Sequence, residues 1–490
     1  MSDQDNFPDI RKLSKELRKE DKSLKNRLQS IKFDNTFLKE QVLSTFPYPL
    51  IPNERCGLWY CDTEMYSTTS YFKSTDGHTN QWDFSTRRLN FHLLPILAEK
   101  KGLIILDSTR RGKKIPDALS KTVPIWCAVL NYMMLEAEGK RWPFKEEILF
   151  VPPGTVPRTE YERMIDKLPE LVQKLKRLDI TDGKRLKETL QIGCNESKLL
   201  RPIWVYPGSS LLQLKHDIFT GELKESLQWQ PTSDIIPLIL CTVSYQCQDG
   251  TDKRHGFTYV QGAADDHELW AEALTPELFW KNIDALGDIS KSDAELIDIY
   301  NAAILKEKHN HQLNVSGNLS TLIEADAITN NLHLGRITPQ FELNKSTVEL
   351  LNQRYCISIL CHETVGIDEP TEDQQSIHTF KMSSGSKKSS RDLRSNLIEI
   401  DRLIGEQLFP VNTQENLPIL IACDTGKDIS VSILLVALCR YYNLDWKVQP
   451  QDSVNKTIVK KHLAKIIDSL HGRNVNPSRA SLNSVNSFLM

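Results

Sequence analysis

The chain has 490 residues, of which 40 % are hydrophobic and 26 % are charged, and its formal net charge is −3 at pH 7. These values are typical of a soluble globular protein with two or three domains. The near-neutral balance excludes a polyanion partner attracted by overall charge, so only local basic clusters could bind nucleic acid. No apolar run approaches the roughly 20 residues that span a bilayer, and the polar N-terminus is not a signal peptide.

The ten cysteines include no Cys-x2-Cys pair, which argues against the usual zinc knuckle. Reduced, buried thiols are the expected state for them. We therefore expect a cytoplasmic or nuclear location, of which we choose the cytoplasmic one. We expect no membrane association, and the sequence gives no sign of an obligate protein partner.

Residues 9–45 have the leucine spacing of a helix that ends before Pro47. Between Arg11 and Ser30 there are eight basic residues against three acidic ones. A solvated helix face explains such a run, and a contact with nucleic-acid phosphates is the competing interpretation. The basic residues that would make this contact include Lys12, Lys15, Arg18 and Lys19.

A β-rich run, Gly102–Leu106, is followed at once by a basic polar loop and then by an apolar helix around Val123. A loop between strand and helix points backbone N–H groups at one spot, where the helix dipole adds positive potential. Clustered cations and hydroxyls there predict phosphate or pyrophosphate binding. The candidate residues are Ser108, Thr109, Arg110, Arg111, Gly112, Lys113, Ser120 and Lys121.

Two other motifs carry acid–base or metal-binding groups. In the segment 72–79, Asp76 and His78 project from an Asp-Gly turn and suit a general base or a metal ligand, although a plain hydrogen-bonded turn also explains them. In the segment 259–270, Asp265 and Asp266 are possible Mg²⁺ ligands. Acidic residues in the first turn of a helix explain that pair equally well. Lys73, Ser74 and Thr75 are candidate substrate contacts beside the first motif.

Near the C-terminus, an apolar strand, a polar loop and an apolar helix succeed one another in residues 418–439. The loop resembles the Cys-x5-Arg-Ser/Thr loop of protein tyrosine and dual-specificity phosphatases, with Cys423 at the nucleophile position and Ser430 at the terminal hydroxyl. Ile429 replaces the arginine that clamps the phosphoryl group. We therefore expect the loop to bind phosphate rather than to hydrolyse it. Its candidate ligands are Cys423, Asp424, Thr425, Gly426, Lys427, Asp428 and Ser430.

Taken in this order, the motifs resemble one family, the initiator-tRNA 2′-O-ribosylphosphate transferases of fungi and plants. The segments 116–127 and 476–490 also match its patterns, and the resemblance runs from about residue 10 to the end. It implies transfer of 5-phosphoribosyl from phosphoribosyl pyrophosphate (PRPP) to the 2′-hydroxyl of a T-stem adenosine, position 64, in initiator methionine tRNA. Pyrophosphate would leave, and the new anionic group would exclude the initiator from elongation.

The resemblance also implies roles for the candidate residues. Arg110, Arg111, Lys113 and Lys121 would stabilise pyrophosphate with Mg²⁺, Asp76 or His78 would act as the base, and Asp265 and Asp266 would be metal ligands. The loop 424–430 would hold either the 5-phosphate or a tRNA backbone phosphate. Lys387, Lys388 and Arg391, from a Ser/Lys-rich loop at 383–391, are further candidate RNA contacts.

Alternating strands and helices predict an α/β fold. We expect a basic N-terminal helical segment (1–45) and an α/β or α+β catalytic and tRNA-binding domain (46–345). A dual-specificity-phosphatase-like α/β domain (346–490) would follow, and its helix at 392–408 is amphipathic. Two other functions remain open, a Cys423-dependent phosphatase and a non-enzymatic tRNA-binding pseudophosphatase.

Overall fold

The computed structural model describes residues 21–54, 56–75, 78, 80–110, 112–193, 196–213, 229–271, 274–310, 319–339, 341–363, 376–384, 387–409, 417–451, 453–470 and 473–490. The chain divides into two compact units. Unit 1 takes its described residues from 1–84, 93–174 and 182–307, and unit 2 takes its described residues from 85–92, 175–181 and 308–490. Among the described residues, no helix combines the length and apolar character needed to cross a membrane.

Unit 1 is built on a parallel sheet. Its strands are β1 (Leu50–Pro52), β2 (Leu103–Asp107), β3 (Leu199–Val205) and β4 (Ile235–Thr242), and a separate antiparallel hairpin pairs β5 (Thr251–Arg254) with β6 (Phe257–Val260). The sheet order is β1-β2-β4-β3, with every pair parallel. All five residues of β2 are buried, which is expected of an apolar strand inside a parallel sheet. The strand predicted at Gly102–Leu106 is thus confirmed.

The helices of unit 1 include those predicted at 9–45, 155–190 and about Pro276, each confirmed within the described residues. They are α1 (Leu24–Phe37), a π-helical turn (Leu38–Val42), α2 (Leu43–Thr45), α3 (Leu93–Lys100), α4 (Val123–Ala137), α5 (Arg158–Lys176), α6 (Gly183–Thr189), α7 (Ser210–Gln213), α8 (Pro276–Lys281), α9 (Ile283–Leu286) and α10 (Asp293–Asn310). The last residues of α5 and of α10 fall in unit 2. A second π-helical turn, Ala118–Thr122, leads directly into α4.

The described part of the N-terminal segment belongs to the core of unit 1. Val260 N donates to Ser30 Oγ at 2.8 Å, and the hydroxyl of Tyr259 donates to Asp34 Oδ1 at 2.8 Å. Burial raises the pKa of the fully buried Asp34 carboxyl well above its usual value. Residues 24–45 are therefore integral to unit 1 rather than a separate segment.

Unit 2 has a five-stranded mixed sheet and a set of covering helices. The strands are β7 (Ile323–Ala327), β8 (Leu332–Ile337), β9 (Ser358–Cys361), β10 (Ile377–Phe380) and β11 (Ile419–Cys423), and the helices are α11 (Leu319–Leu322), α12 (Lys345–Arg354), α13 (Lys387–Leu408), α14 (Ile429–Tyr441), α15 (Lys456–Ser469) and α16 (Arg479–Leu489). The order is β10-β9-β11-β8-β7, antiparallel only at β7–β8. Strand β11 is followed by a loop and then by α14, which confirms the strand, loop and helix predicted in residues 418–439.

The two units meet in the sequence at 307/308 rather than at the predicted 345/346. Strands β7 and β8 were expected in the first domain, but β8 pairs with β11 across more than 80 intervening residues, for example Leu334 with Ile421. Local sequence signals cannot specify such a pairing, because it depends on side chains that meet only in the folded sheet.

The Ser/Lys-rich segment expected as a loop at 383–391 is helical from Lys387 onward. Ser389 and Ser390 are buried, and Ser484 Oγ on α16 donates to Ser390 O at 2.7 Å. Packing against α16 therefore extends the predicted amphipathic helix by one turn and a half. Composition alone favoured a loop because serine and lysine are common in linkers.

Candidate active site

Two of the predicted motifs meet in unit 1, at the carboxyl ends of β2 and β4. Ligands of parallel α/β sheets commonly bind at this edge. A cavity of about 360 Å³ lies there, within the size range of small-molecule sites. Its lining residues are Cys56, Ser74, Asp107, Ser108, Thr109, Arg110, Lys113, Pro116, Asp117, Ala118, Asp265 and Asp266.

The segment after β6 holds the basic loop in place through Gln261. Its Oε1 accepts from Gly112 N at 2.9 Å, and its Nε2 donates to Lys113 O at 2.6 Å. Gly262 has φ +66°, and a Cβ there would lie 2.9 Å from Thr109 O. Only glycine permits this close approach without strain. The motifs 107–114 and 259–266 therefore form one structure.

The described charged groups of the cavity are arranged in pairs. Arg110 lies 2.7 Å from Asp266 Oδ2 through Nη1 and 3.4 Å from Asp265 Oδ2 through Nε. Lys113 Nζ lies 3.3 Å from Asp117 Oδ2. With Asp107, the described lining carries four carboxylates and two cations. Among the described lining groups, a polyphosphate would meet more carboxylates than cations unless a metal ion came with it.

Asp265 and Asp266 thus bind Arg110 in the structure. The backbone of Asp266 is in the left-handed region, at φ 52°, and the helix that follows is a single 3-10 turn, His267–Leu269. The acidic first turn of a longer helix therefore does not explain the two aspartates. Among the described residues, no group of three or more His, Cys, Asp or Glu side chains is arranged for a metal ion. Magnesium needs fewer protein ligands, because it takes one or two carboxylates together with substrate phosphates.

Asp107 is a lining residue that sequence reasoning did not select. Asp107 is the last residue of β2, and it is only 3 % exposed to solvent. Asn53 Nδ2 donates to Oδ2 at 2.8 Å, and Ser108 N donates to Oδ1 at 2.9 Å. Its position after a buried apolar strand was the available signal, but an aspartate at a strand end is also a common loop residue.

Lys121 and Ser120 do not line the cavity, although both were predicted as ligands. Lys121 Nζ lies 2.7 Å from Glu160 Oε1, and each side chain is 8 % exposed. Trp82 Nε1 donates to the same oxygen at 2.8 Å. Ser120 is fully buried within the π-helical turn. Lys121 is thus paired with Glu160, and neither residue is among the described lining residues of the cavity.

The first motif contributes Ser74 to the cavity lining. Lys73 is exposed, and its carbonyl accepts from Thr122 Oγ1 at 2.7 Å, whereas Thr75 is buried. His78 is exposed and is not a lining residue. Asp76 and Arg111, predicted as base and clamp, lie outside the described residues, so their roles stay predictions.

In unit 2, the cysteine loop follows the buried strand β11. Cys423 Sγ accepts from Gly426 N at 3.2 Å and lies 3.0 Å from Ser430 Oγ. Gly426 has φ +62°, and a Cβ there would lie 2.6 Å from Arg473 Nη1 and 2.8 Å from Arg336 Cβ. The expected phosphatase-type turn, with its hydroxyl beside the sulfur, is therefore present.

The loop uses several of its own donors internally. The Asp424 carboxylate accepts from Thr425 N at 2.8 Å and from Ser384 N and Oγ at 3.0 and 2.6 Å. Lys427 N donates to Thr425 Oγ1 at 3.3 Å. An anion that enters this loop must compete with the Asp424 carboxylate for donors.

The C-terminal motif closes the loop from the other side. Asn476 N donates to Lys427 O at 3.2 Å, and Ser478 N donates to Asp428 Oδ1 at 2.9 Å. Asp428 is buried and its side chain faces residue 478 rather than an open site. The motifs 423–430 and 476–490 are thus packed together in unit 2.

The predicted RNA contacts are only partly described. Lys388 and Arg391 are exposed on the first turns of α13, where they are accessible to a phosphate backbone. The side chain of Lys387 and the residues Lys12, Lys15, Arg18 and Lys19 lie outside the described part of the chain.

The fold defines a mixed α/β protein whose second unit carries a phosphatase-type cysteine loop without its arginine. The chain belongs to the Rit1 family: the family model described as Rit1 N-terminal domain matches residues 17–304, and the one described as Rit1 DUSP-like domain matches residues 376–489. This result confirms the resemblance inferred from the motifs and the predicted phosphatase-like second domain.

Two curated relatives match nearly the full chain. A Saccharomyces cerevisiae protein named tRNA A64-2′-O-ribosylphosphate transferase is 51 % identical, over 100 % of this chain and 96 % of its own length. An uncharacterized protein of Schizosaccharomyces pombe is 32 % identical, over 95 % of this chain and 94 % of its own.

Two solved structures with similarity to part of the chain have a phosphatase domain in their descriptions. The Yvh1 phosphatase domain from Chaetomium thermophilum is 15 % identical, with a TM-score of 0.25, over 34 % of this chain and 94 % of that structure. A leucine-rich-repeat and phosphatase-domain protein from Entamoeba histolytica is 15 % identical, with a TM-score of 0.22. The match covers 34 % of this chain and 89 % of that structure.

Proposed function

We propose that this protein is a tRNA 2′-O-ribosylphosphate transferase, a glycosyltransferase that modifies adenosine 64. The observation that carries this proposal is the 51 % identity, over the whole chain, to the relative of that name. The finer assignment is that PRPP is the donor, initiator methionine tRNA is the acceptor and pyrophosphate is released. A cytoplasmic location and independence from an obligate protein partner are part of the same proposal.

The cavity of unit 1 is the proposed reaction site. Glycosyl transfer from PRPP develops positive charge on the sugar and negative charge on the departing pyrophosphate, so catalysis needs cations at the leaving group. Arg110 and Lys113 are the described cations that line the cavity, and Arg111 is the neighbouring residue in sequence. The hydroxyls of Ser108 and Thr109 would contact the phosphates, whereas Gly112 would act by shaping the loop, because its N–H already donates to Gln261.

Magnesium fits the acidic part of this cavity. Asp265 and Asp266 offer carboxylate oxygens, which hard cations prefer. The described lining has more carboxylates than cations, which favours a donor that arrives with a metal. When bound, Mg²⁺ would neutralise charge on pyrophosphate as it leaves. Arg110, which lines the same cavity, would contact a phosphate oxygen of the donor.

The cysteine loop of unit 2 is proposed as a binding element rather than a hydrolytic one. It would hold either the 5-phosphate of the donor or a backbone phosphate of the tRNA. The absence of an arginine at position 429 and the internal bonds of Asp424 both argue against phosphatase chemistry. Lys388 and Arg391 are the described candidates for RNA backbone contacts.

The decisive experiment incubates the full chain with initiator tRNA, Mg²⁺ and PRPP labelled in the ribose. We expect label at nucleotide 64, dependent on the 2′-hydroxyl and on Mg²⁺, with none on elongator methionine tRNA. A protein that binds tRNA but incorporates no label is a tRNA-binding pseudophosphatase instead. Turnover of a phosphotyrosine mimic that disappears in Cys423→Ser would support the phosphatase alternative.

A further inference from the structure

We infer that two glutamines, Gln246 and Gln261, are positioning residues for the transfer reaction. They hold the basic loop by its backbone, and they thereby fix Arg110 and Lys113 at the cavity, where pyrophosphate would leave. This inference rests on the proposed function and names two residues to which that function gave no role. Gln246 and Gln261 are called the glutamine pair below.

Gln261 binds the loop through both ends of its side-chain amide. Its Oε1 accepts from Gly112 N at 2.9 Å, and its Nε2 donates to Lys113 O at 2.6 Å. The same Oε1 also accepts from Cys247 N at 2.9 Å. Gln261 is only 3 % exposed, so these bonds form away from water, where an unpaired polar group is costly. The partners need an acceptor at one end and a donor at the other, which a glutamine supplies and a carboxylate does not.

Gln246 holds the other backbone polar group of Gly112. Its Nε2 donates to Gly112 O at 2.6 Å. Gln246 directly precedes Cys247, whose N–H donates to Gln261, so the contacts close a ring around Gly112. Gly112 itself has φ +72°, a conformation that glycine adopts without strain. The glutamine pair therefore fixes this turn of the loop from two directions.

The beginning of the loop is held by a third side chain, Ser244. Thr109 N donates to Ser244 Oγ at 3.0 Å, and the same hydroxyl donates to Thr109 O at 3.0 Å. Close packing adds to these bonds, because a Cβ at Gly262 would lie 2.9 Å from Arg110 Cβ. The loop is therefore held before Arg110 as well as after it.

These backbone bonds leave the side chains of the loop to meet the substrate. The N–H groups of Thr109 and Gly112 already donate to side chains. Arg110 and Lys113 line the cavity, whereas neither glutamine is among its described lining residues. The glutamine pair therefore acts on the reaction through the loop. A cation that is held in place before the reaction stabilises the charge of a leaving group without the cost of being oriented during it.

The test compares Gln261→Met with wild type in single-turnover assays with saturating labelled PRPP, Mg²⁺ and initiator tRNA. Methionine has a similar length but makes no comparable hydrogen bonds. We expect the rate at saturation to fall about 10- to 100-fold, because a displacement of about 1 Å can cost roughly 10²-fold. The dissociation constants for PRPP and tRNA should stay within about threefold of wild type.

Gln29→Met is the matched control for removal of a buried amide. Gln29 is buried on α1, and among the described residues its Nε2 has no hydrogen-bond partner. It is not among the described lining residues of the cavity. That variant should react at the wild-type rate.

Two further measurements separate positioning from a purely structural role. In an Arg110→Ala/Lys113→Ala background the cations that the loop presents are missing, so Gln261→Met should lower the remaining rate by less than about threefold. A residue needed only for folding would cause the same loss in both backgrounds. Gln246→Met removes one hydrogen bond at an exposed position, and we expect a rate about fivefold below wild type.

Three results would overturn the inference while leaving the proposed function intact. They are a wild-type rate in either glutamine variant, a loss confined to the affinity for PRPP, and an equal loss with and without the two cations. If Gln261→Met does not fold, as judged by circular dichroism, Gln246→Met decides alone. A fivefold loss that disappears without the cations then supports the inference, and a wild-type rate overturns it. Failure of the wild-type protein to label tRNA would instead contradict the proposed function itself.

Discussion

The cavity of unit 1 and the cysteine loop of unit 2 are built in the same way but use their polar groups differently. Each follows a fully buried strand, β2 or β11, of a largely parallel sheet. In the cavity, Arg110 pairs with Asp265 and Asp266 from a distant segment, beside an open space of about 360 Å³. In the loop, backbone N–H groups donate to neighbouring side chains, above all to Asp424. A shared local architecture therefore does not imply a shared chemical role.

The difference teaches how to separate a reaction site from a binding loop. Paired charges beside an open volume can exchange partners when a charged substrate and a metal enter. A loop in which three backbone N–H groups already donate to its own side chains offers fewer donors to a transition state. The four experiments below test this contrast, from the largest expected change in free energy to the smallest.

Lys121→Met tests whether Lys121 is a structural residue of unit 1. Removing one partner of a buried ion pair leaves the other charge unpaired, at a cost of about 3–5 kcal/mol. We expect the denaturation midpoint of unit 1 to fall accordingly, and the rate per folded molecule to stay within threefold of wild type. Adding Glu160→Gln should recover part of the stability. A stable Lys121→Met variant that has lost activity would place Lys121 in the reaction instead.

Arg110→Ala tests the assignment of the reaction to the cavity. Losing a preorganised cation at the leaving group should reduce the single-turnover rate by about 10²–10³, equivalent to roughly 3–4 kcal/mol. The affinity for tRNA, measured by filter binding, should change by less than threefold. Arg254→Ala is the matched control because Arg254 lies on the β5 strand, away from the cavity lining. Equal rates for both variants would exclude the cavity as the reaction site.

The third prediction concerns how the free energy of unfolding of unit 2 depends on pH through His462. Burial lowers the pKa of His462 to about 4, and Trp446 Nε1 donates to its Nδ1 at 3.3 Å. Because the folded pKa lies below the unfolded value of about 6.5, the contribution to stability is full above pH 6.5 and is lost as pH falls towards 4. We expect a loss of about 3 kcal/mol over that window.

The measurement is urea unfolding at pH 7.5, 5.5 and 4.5, followed through tryptophan fluorescence. In His462→Asn, which cannot titrate, the part of the pH slope that belongs to this histidine should disappear. An unchanged slope in that variant would show that other groups cause the acid sensitivity of unit 2.

A matched pair of glycine substitutions compares the two regions directly. Gly262→Ala and Gly426→Ala each force an alanine into the left-handed region, at about 1–2 kcal/mol. At Gly262 the new Cβ also meets a backbone oxygen, Thr109 O, which cannot move aside without disturbing the loop of Arg110. At Gly426 it meets the end of a side chain, Arg473 Nη1, together with Arg336 Cβ.

We therefore expect Gly262→Ala to reduce the transferase rate about tenfold or more, and Gly426→Ala to weaken substrate binding while the rate at saturation changes less. Steady-state kinetics on both variants, with circular dichroism to confirm folding, gives the comparison. If Gly426→Ala reduced the transferase rate more than Gly262→Ala, the reaction site would lie at the cysteine loop instead of the cavity.

The sequence by itself determined the local pieces of this protein. Apolar runs ending in polar residues predicted β2 and β11 with their loops, since a buried strand must be apolar and a loop must satisfy its own backbone. The cysteine spacing predicted the turn at 423–430, and the motifs together predicted the family. Those signals are local, so they can be read from neighbouring residues.

Only the tertiary structure decided which pieces belong together. Strands β7 and β8 joined the second unit, and Lys121 turned to Glu160 instead of the cavity. The segment 259–266 came to rest on the loop 107–113, which placed Asp265 and Asp266 opposite Arg110. Asp107 came to line the cavity in the same way, with Asn53 as a hydrogen-bond partner. These contacts join residues far apart in the chain, and their energies depend on burial and geometry that no local pattern encodes.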